Sequence, residues 1–171
     1  NYGSAGNGSD NHLTTEVFKN ATGIDVLHVP YKGGGALMTD LVGGQVAFVF
    51  ATIPPAHPYI ASGRLRALAV TSLKRNAALP DVPTVSEAAL PGFNVNAWLG
   101  ILVPAGTPAN AIERLHAATV KTLQRPEVSE RLSALGLEPV GSTPVQLAAH
   151  LKSEMARWVK LSKVVKFEVA D

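Results

Sequence analysis

The residues best suited to binding chemistry lie in a glycine-rich turn near the start of the chain. The turn reads Ser-Ala-Gly-Asn-Gly-Ser and joins a short apolar stretch to a segment with helical periodicity. Backbone N–H groups in such a turn, together with the positive end of a helix dipole, stabilise an anion without a basic side chain. An ordinary strand-to-helix turn capped by its last serine explains the same sequence. The candidate ligand-binding residues here are Ser4, Ala5, Gly6, Gly8 and Ser9.

A second glycine-rich loop, Tyr31-Lys32-Gly33-Gly34-Gly35, follows the next predicted strand. In open parallel sheets the ligand crevice lies at the carboxyl ends of the strands, so the two loops are expected to face one pocket. Tyr31, Gly33 and Gly34 are predicted to shape that pocket, and Thr52, after a third predicted strand, is expected to join them. Alternatively, the tyrosine packs on its helix and the glycines serve only the turn.

Signatures of catalysis and of metal binding are missing from the sequence. It contains no Gly-x-Ser-x-Gly elbow, no phosphate loop, no dinucleotide fingerprint and no cysteine. His12 is expected to form a hydrogen bond at the start of its helix, because no metal-binding motif surrounds it. Ser4 or Ser9 with His12 lacks the third group that orients a nucleophile and its base. We therefore predict no catalytic residue, no metal site and no cofactor.

The charge and the apolar stretches of the sequence limit the kinds of partner that the chain can bind. The 171 residues carry a net charge of +2, and the 15 basic residues are scattered, whereas nucleic-acid binding needs a concentrated basic face. The longest apolar stretch, Trp98 to Val103, is far shorter than the roughly 20 residues that span a bilayer. The sequence therefore predicts no nucleic-acid partner and no direct membrane insertion, with a weak bias towards small anions.

The elements that must position these loops follow an α/β pattern. Short apolar strands, glycine-rich turns and amphipathic helices alternate over the first seventy residues, which predicts a parallel-type sheet with flanking helices. A proline-rich connector then leads to a predicted strand and three further helices. The predicted strands are 2–4, 25–29, 45–51, 65–71, 95–103 and 138–140. The predicted helices are 9–21, one following Gly35, one ending near 62, 84–89, one capped by Thr107, 126–135 and one beginning at Thr143–Pro144.

Several ordered blocks of the sequence resemble one family. Together they resemble the Bug-type receptors of tripartite tricarboxylate transporters, which are periplasmic solute-binding proteins. The resemblance extends from the first residue to about Trp158. The blocks are Asn1–Ser9, His28–Gly33, Asp40–Val46, Gly63–Ser72, Leu79–Thr84, Leu90–Phe93 and Pro104–Pro108.

The resemblance implies a two-lobed periplasmic receptor that closes over a small organic acid and delivers it to the membrane permease subunits of a transporter. Residues 1–98 then form the second ligand-binding lobe with its connector, and residues 99–171 form a return segment and helices of an incomplete first lobe. The first residues are expected to be a cut inside a strand. The tail, Lys163–Asp171, departs from the family pattern.

Two alternatives remain open from the sequence. An enzyme would use the glycine-rich loops as an anion cradle with His12 as its base. A ligand-sensing interaction module would use the helices after Pro108 as a docking surface.

Overall fold

A small parallel sheet organises the amino-terminal part of the chain. The computed structural model describes residues 1–163. Strands β1 (Tyr2–Ser4) and β2 (His28–Pro30) pair in parallel, with Tyr2 opposite His28 and Ser4 opposite Pro30. The segment around Phe48 lies on the other side of β1 through a parallel bridge from Tyr2 and a 3.2 Å hydrogen bond from the Gly3 N–H. The predicted α/β class is confirmed, with β1 at the centre.

Within residues 1–163, seven helices follow the predicted order. Their starts at residues 10, 126 and 144 agree with the cap signals in the sequence, whereas the helix Gly34–Val42 begins before Gly35 instead of after it. The helix Ala109–Leu123 is capped by Pro108 instead of the predicted Thr107, whose hydroxyl donates to the Pro104 carbonyl. None is long and apolar enough to cross a membrane within residues 1–163. The helices are α1 (Asp10–Thr22), α2 (Gly34–Val42), α3 (Ile53–Ala61), α4 (Val85–Ala88), α5 (Ala109–Leu123), α6 (Pro126–Ala134) and α7 (Pro144–Leu161).

The sheet is smaller than the sequence predicted. The predicted strands 45–51 and 65–71 are reduced to single bridges, Tyr2 with Phe48 and Val70 with Thr84, and the described chain forms no strand at 95–103 or 138–140. A strand exists only where a neighbour accepts and donates its backbone hydrogen bonds, and an apolar sequence does not supply that neighbour. The strand predictions were therefore wrong in extent.

Helix α1 buries a polar face. Leu13, Val17 and Phe18 share one face at helical spacing, which is typical of an inner face, but they are only half-buried, and the buried positions are polar. Asn11 donates to the Phe50 carbonyl at 2.6 Å, which supplies one of the partners that such burial requires. The buried residues of the helix are Asn11, His12, Thr14, Thr15 and Glu16.

A second, apolar cluster forms where the connector meets α1 and α7. Val85, Phe93 and Val95 are buried at its centre, and Phe18 and Trp158 pack against them. In contrast, α5, α6 and α7 contain no buried residue. The tail that departs from the family pattern, Lys163–Asp171, lies outside the described residues except for Lys163.

Candidate functional site

The starts of three helices face one small cleft. Its volume is about 80 Å³, and Leu37 and Met38 of α2 supply apolar walls that are almost fully buried. The first turn of a helix presents unpaired backbone N–H groups and a positive partial charge, so three such ends attract one anion. The remaining lining residues are Asp10 and Asn11 from α1, Gly34 from α2, and Ala51, Thr52 and Pro55 around the start of α3.

The glycine-rich turn supports this cleft with most of its own donors already engaged. The Gly6 N–H donates to Ser4 Oγ at 3.2 Å, and the Ser9 N–H donates to the Gly6 carbonyl at 3.2 Å. The Gly8 N–H donates to His12 Nδ1 at 3.0 Å. Positive φ angles of 130° at Gly6 and 74° at Gly8 make glycine necessary at both positions. Most N–H groups of this turn, Ser4–Ser9 (the shelf), are thus paired within the protein, which favours the ordinary strand-to-helix turn over the open nest of N–H groups, the two interpretations that the sequence allowed.

Ser9 has the capping role that the sequence offered as one of two interpretations. Its hydroxyl accepts from the His12 N–H at 3.4 Å and donates to the Gly6 carbonyl at 2.7 Å. A helix cap and a ligand shelf are compatible here, because the capped helix is one of the three whose starts face the cleft.

The second glycine-rich loop is joined to the first by backbone hydrogen bonds. The Tyr31 N–H donates to the Ser4 carbonyl at 2.9 Å, and the Gly33 N–H donates to the Ala5 carbonyl at 3.2 Å. Gly33 is the N-cap of α2 with φ at 107°, and no side chain caps that helix. The first-turn N–H groups of α2 are therefore left without a side-chain cap at the cleft.

Tyr31 anchors its loop to the body of α2. Its hydroxyl donates to Asp40 Oδ2 at 2.9 Å. Partial desolvation, the hydrogen bond to Asp40 and the charge of that carboxylate together raise the pKa of Tyr31 above its ordinary value of 10.0. The phenol therefore stays protonated and donating at neutral pH. The Tyr31 side chain thus contacts its helix, as the alternative interpretation expected, and its backbone N–H also joins the two loops.

Thr52 brings a hydroxyl to the third helix start. It is the N-cap of α3, yet its side chain makes no capping hydrogen bond, and it lines the cleft. Pro54 and Pro55 open α3 and lack N–H groups, so this helix offers fewer backbone donors than α1 or α2. The Thr52 hydroxyl, which makes no capping hydrogen bond, offers a side-chain donor in place of the missing backbone N–H groups.

A buried polar cluster lies directly beneath the shelf. Ser4 Oγ is 2.6 Å from His28 Nε2, and the ring of His28 stacks on that of His12 with centroids 4.3 Å apart. On the far side, the Tyr2 hydroxyl donates to Glu16 at 2.6 Å, and Lys19 pairs with the same carboxylate at 3.0 Å. The prediction that His12 forms a hydrogen bond at its helix start is confirmed.

The structure brings some predicted site residues to the cleft and sets others behind it. Gly34 and Thr52 line the cleft, whereas Ser4 is fully buried beneath it. Asp10 and Asn11 line it without having been predicted, although their place directly after the N-cap serine was a usable signal. Residues 1–163 contain no cluster of three or more side chains suited to a metal ion.

Comparison with known proteins identifies relatives of this chain. A family model described as the tripartite tricarboxylate transporter family receptor matches residues 1–166. A protein encoded in the tcbD-tcbE intergenic region of Pseudomonas sp. strain P51 is 42% identical over 161 residues, covering 94% of this chain and 48% of that protein. Protein BugT of Bordetella pertussis is 38% identical, covering 88% and 46%. The chain thus spans about half the length of these relatives.

Solved structures share the fold. Rpa4515 of R. palustris, solved with adipate, superposes with a TM-score of 0.91 at 36% identity over 95% of this chain and 55% of that one. MatC from Rhodopseudomonas palustris, solved with bound malate, gives 0.86 at 35% identity over 96% and 56%. The periplasmic binding protein BugD gives 0.87 at 34% identity over 99% and 57%. With the family match along nearly its entire length, the chain belongs to the receptor family of tripartite tricarboxylate transporters, to which the Bug-type receptors also belong.

Proposed function

We propose that this chain supplies one wall of a periplasmic receptor that captures a small carboxylate and passes it to the permease subunits of a tripartite tricarboxylate transporter. The observation that carries this proposal is the convergence of the starts of α1, α2 and α3 on one cleft. No basic side chain lines the cleft, so a carboxylate would be held by backbone N–H groups and helix dipoles, against the opposing charge of the exposed Asp10. The adipate and malate in the related structures are dicarboxylates, which fits this chemistry.

The small size of the cleft favours a two-lobed arrangement. At about 80 Å³, it holds little more than one carboxylate with its hydration, and known small-molecule pockets are several times larger. We therefore assign residues 1–98 to one ligand-binding lobe and residues 99–171 to a connection and helices that pack on another. Closure of the second lobe over the bound carboxylate would remove the remaining water.

The contacts of His12 count against the enzyme alternative. Only 1% of His12 is exposed, and its Nδ1 already accepts from the Gly8 N–H. A general base must reach the proton that it abstracts, directly or through one water. This histidine therefore holds the glycine-rich turn through its hydrogen bond with Gly8, and we propose a receptor without catalytic residues.

Ligand binding to the full-length protein tests this proposal. Thermal unfolding should be followed in the presence of monocarboxylates, dicarboxylates and tricarboxylates, with amino acids as a further class. A ligand at one hundred times its Kd adds roughly 2.7 kcal/mol of stability, which shifts the melting temperature by several degrees. A shift for one class of carboxylate supports the proposal, and a flat response across all of them contradicts it.

A pair of threonine variants localises the site. Thr52→Val removes the hydroxyl at the start of α3 at nearly constant volume, and we expect about a tenfold loss of affinity by calorimetry. Thr119→Val makes the same change on α5, where the hydroxyl only donates to the Leu115 carbonyl of its own helix. Equal affinities in the two variants would place the ligand elsewhere.

A further inference from the structure

His12 accepts a hydrogen bond from the glycine-rich turn, and this bond depends on the protonation state of the imidazole ring. The Gly8 N–H lies 3.0 Å from His12 Nδ1, and a backbone N–H can only donate. Nδ1 is therefore the acceptor, and the ring is neutral with its proton on Nε2. A protonated imidazole carries hydrogen on both nitrogens and cannot accept this bond.

A second imidazole holds the other end of the same turn. Ser4 Oγ and His28 Nε2 are 2.6 Å apart, and both residues are buried. The rings of His12 and His28 stack almost parallel, with an interplanar angle of 7° and centroids 4.3 Å apart. Two positive charges at this separation repel each other strongly in a buried site, so the stack disfavours double protonation.

We propose that His12 is a positioning residue, whose neutral ring fixes the Gly6–Ser9 turn in its ligand-binding shape and whose protonation releases it. The inference rests on the proposed receptor function. Because α1 begins at the end of this turn, releasing Gly8 also loosens the helix start that faces the cleft. Acidification is therefore expected to weaken carboxylate binding through the protein itself.

Within residues 1–163, charged groups near the stacked rings come from α1. From α1, the Glu16 carboxylate lies one turn beyond His12, and its charge favours protonation, but it already pairs with Lys19 and accepts from the Tyr2 hydroxyl of β1. From β2 the facing group is His28, and the segment 45–52 contains no charged side chain. Asp10, on the first turn of α1, is exposed. The charge of Glu16 is thus largely compensated by Lys19. Protonation of His12 therefore acts on the turn mainly through the loss of the Gly8 hydrogen bond.

Two variants of His12 separate its role as an acceptor from its titration. Asparagine places its side-chain oxygen close to the position of Nδ1, so His12→Asn keeps an acceptor for Gly8 and cannot be protonated near neutral pH. His12→Ala removes the acceptor at every pH. The affinity of the full-length protein for its best carboxylate should be measured by calorimetry at pH 7.5 and pH 5.0, together with far-UV circular dichroism as a check of folding.

The expected pattern is specific to positioning. Wild type should bind more than about threefold more weakly at pH 5.0 than at pH 7.5, because binding requires the neutral form and an imidazole of ordinary pKa is mostly protonated at pH 5.0. His12→Asn should lose less than about threefold over the same range, and His12→Ala should bind weakly at both values. Protonation of the ligand affects all three proteins equally, so it cancels in the comparison. Parallel pH profiles for wild type and His12→Asn would overturn the inference.

A ligand-free measurement keeps the inference testable if the variants fail to fold. In the wild-type protein, the NMR resonance of the Gly8 amide should move with the titration of the His12 ring, while the Gly63 amide at the end of α3 should not. A Gly8 amide that is insensitive to this titration would overturn the inference. Wild-type protein that binds no carboxylate at pH 7.5 would instead refute the receptor function, so the two failures are distinguishable.

Discussion

Gly3 is the residue at which the sheet leaves no space for a side chain. It occupies the middle of β1, and an added Cβ would overlap Leu37 Cδ1 and lie 3.3 Å from Val46 Cγ2. Leu37 belongs to α2 and is 2% exposed, so its side chain has little freedom to move away. We expect Gly3→Ala to lower the free energy of unfolding by about 1–3 kcal/mol through overpacking, measured by urea denaturation.

Gly35 provides the matched control for this prediction. It lies inside α2, where an added Cβ meets no atom within 4 Å. Alanine has the higher helix propensity, so Gly35→Ala should leave stability unchanged or raise it by up to about 1 kcal/mol. If both variants had the same stability, close packing around β1 would not be the reason for glycine at position 3.

At the same scale, the sequence predicted individual residues best where local rules decide. Ser9 as a cap, Gly6 and Gly8 in the turn, and His12 as a hydrogen-bonding residue all depend on contacts within a few positions along the chain. The Ser4–His28 contact joins residues 24 apart and was not predictable from spacing. Neither was the engagement of the turn's own N–H groups, because the partners emerge only once the chain is folded.

At the scale of elements, two capping boxes allow a direct comparison. Thr84 begins α4 and is fully buried, and its box with Glu87 lies beside the hydrogen bond from the Val85 N–H to the Val70 carbonyl. Thr143 begins α7 with the same arrangement, but it is exposed. We expect Thr84→Ala to cost about 2 kcal/mol and Thr143→Ala about 0.5–1 kcal/mol of unfolding free energy, measured by thermal or urea denaturation. A larger loss at Thr143 would contradict the importance of burial.

The box at α4 also has a pH dependence of known sign. The Thr84 N–H, the hydrogen bond from Arg75 and its charge lower the pKa of Glu87 below its ordinary value of 4.5, against a smaller opposing effect of desolvation. A lowered pKa means that this contribution is present above pH 4.5 and is lost as the pH falls through the value in the folded protein. The carboxylate is half-exposed, so solvent screening makes the contribution small.

Elements were predicted unevenly, for a physical reason. Helix starts carry their own signals, and α1, α6 and α7 begin within a residue of the predicted positions. Strands depend on partners elsewhere, so 25–29 became the shorter β2 and 95–103 formed no strand. The polar inner face of α1 was also missed, because periodicity identifies apolar faces and is blind to a buried hydrogen-bond network.

At the scale of the whole molecule, the carboxyl-terminal half shows much apolar surface. Leu99, Ile101 and Leu102 are each at least two-thirds exposed, and Met155 and Val159 of α7 are more than half exposed. Large apolar side chains exposed in this number favour association in water. The chain covers about half the length of the two relatives named above, and under the proposed two-lobed arrangement these residues are available to pack against the other lobe.

This surface leads to a prediction about the 171-residue chain on its own. We expect its weight-average mass in sedimentation to rise with concentration, and the double variant Leu99→Gln, Ile101→Gln to shift it towards the monomer. The charge of the chain stays constant in this variant, so a change reflects apolar surface and not electrostatic repulsion. Leu27→Gln, at an exposed position just before β2, serves as the matched control and should leave association unchanged. A chain that stays monomeric at all concentrations, or association that persists undiminished in the double variant, would show that the segment 98–103 is not what drives copies together.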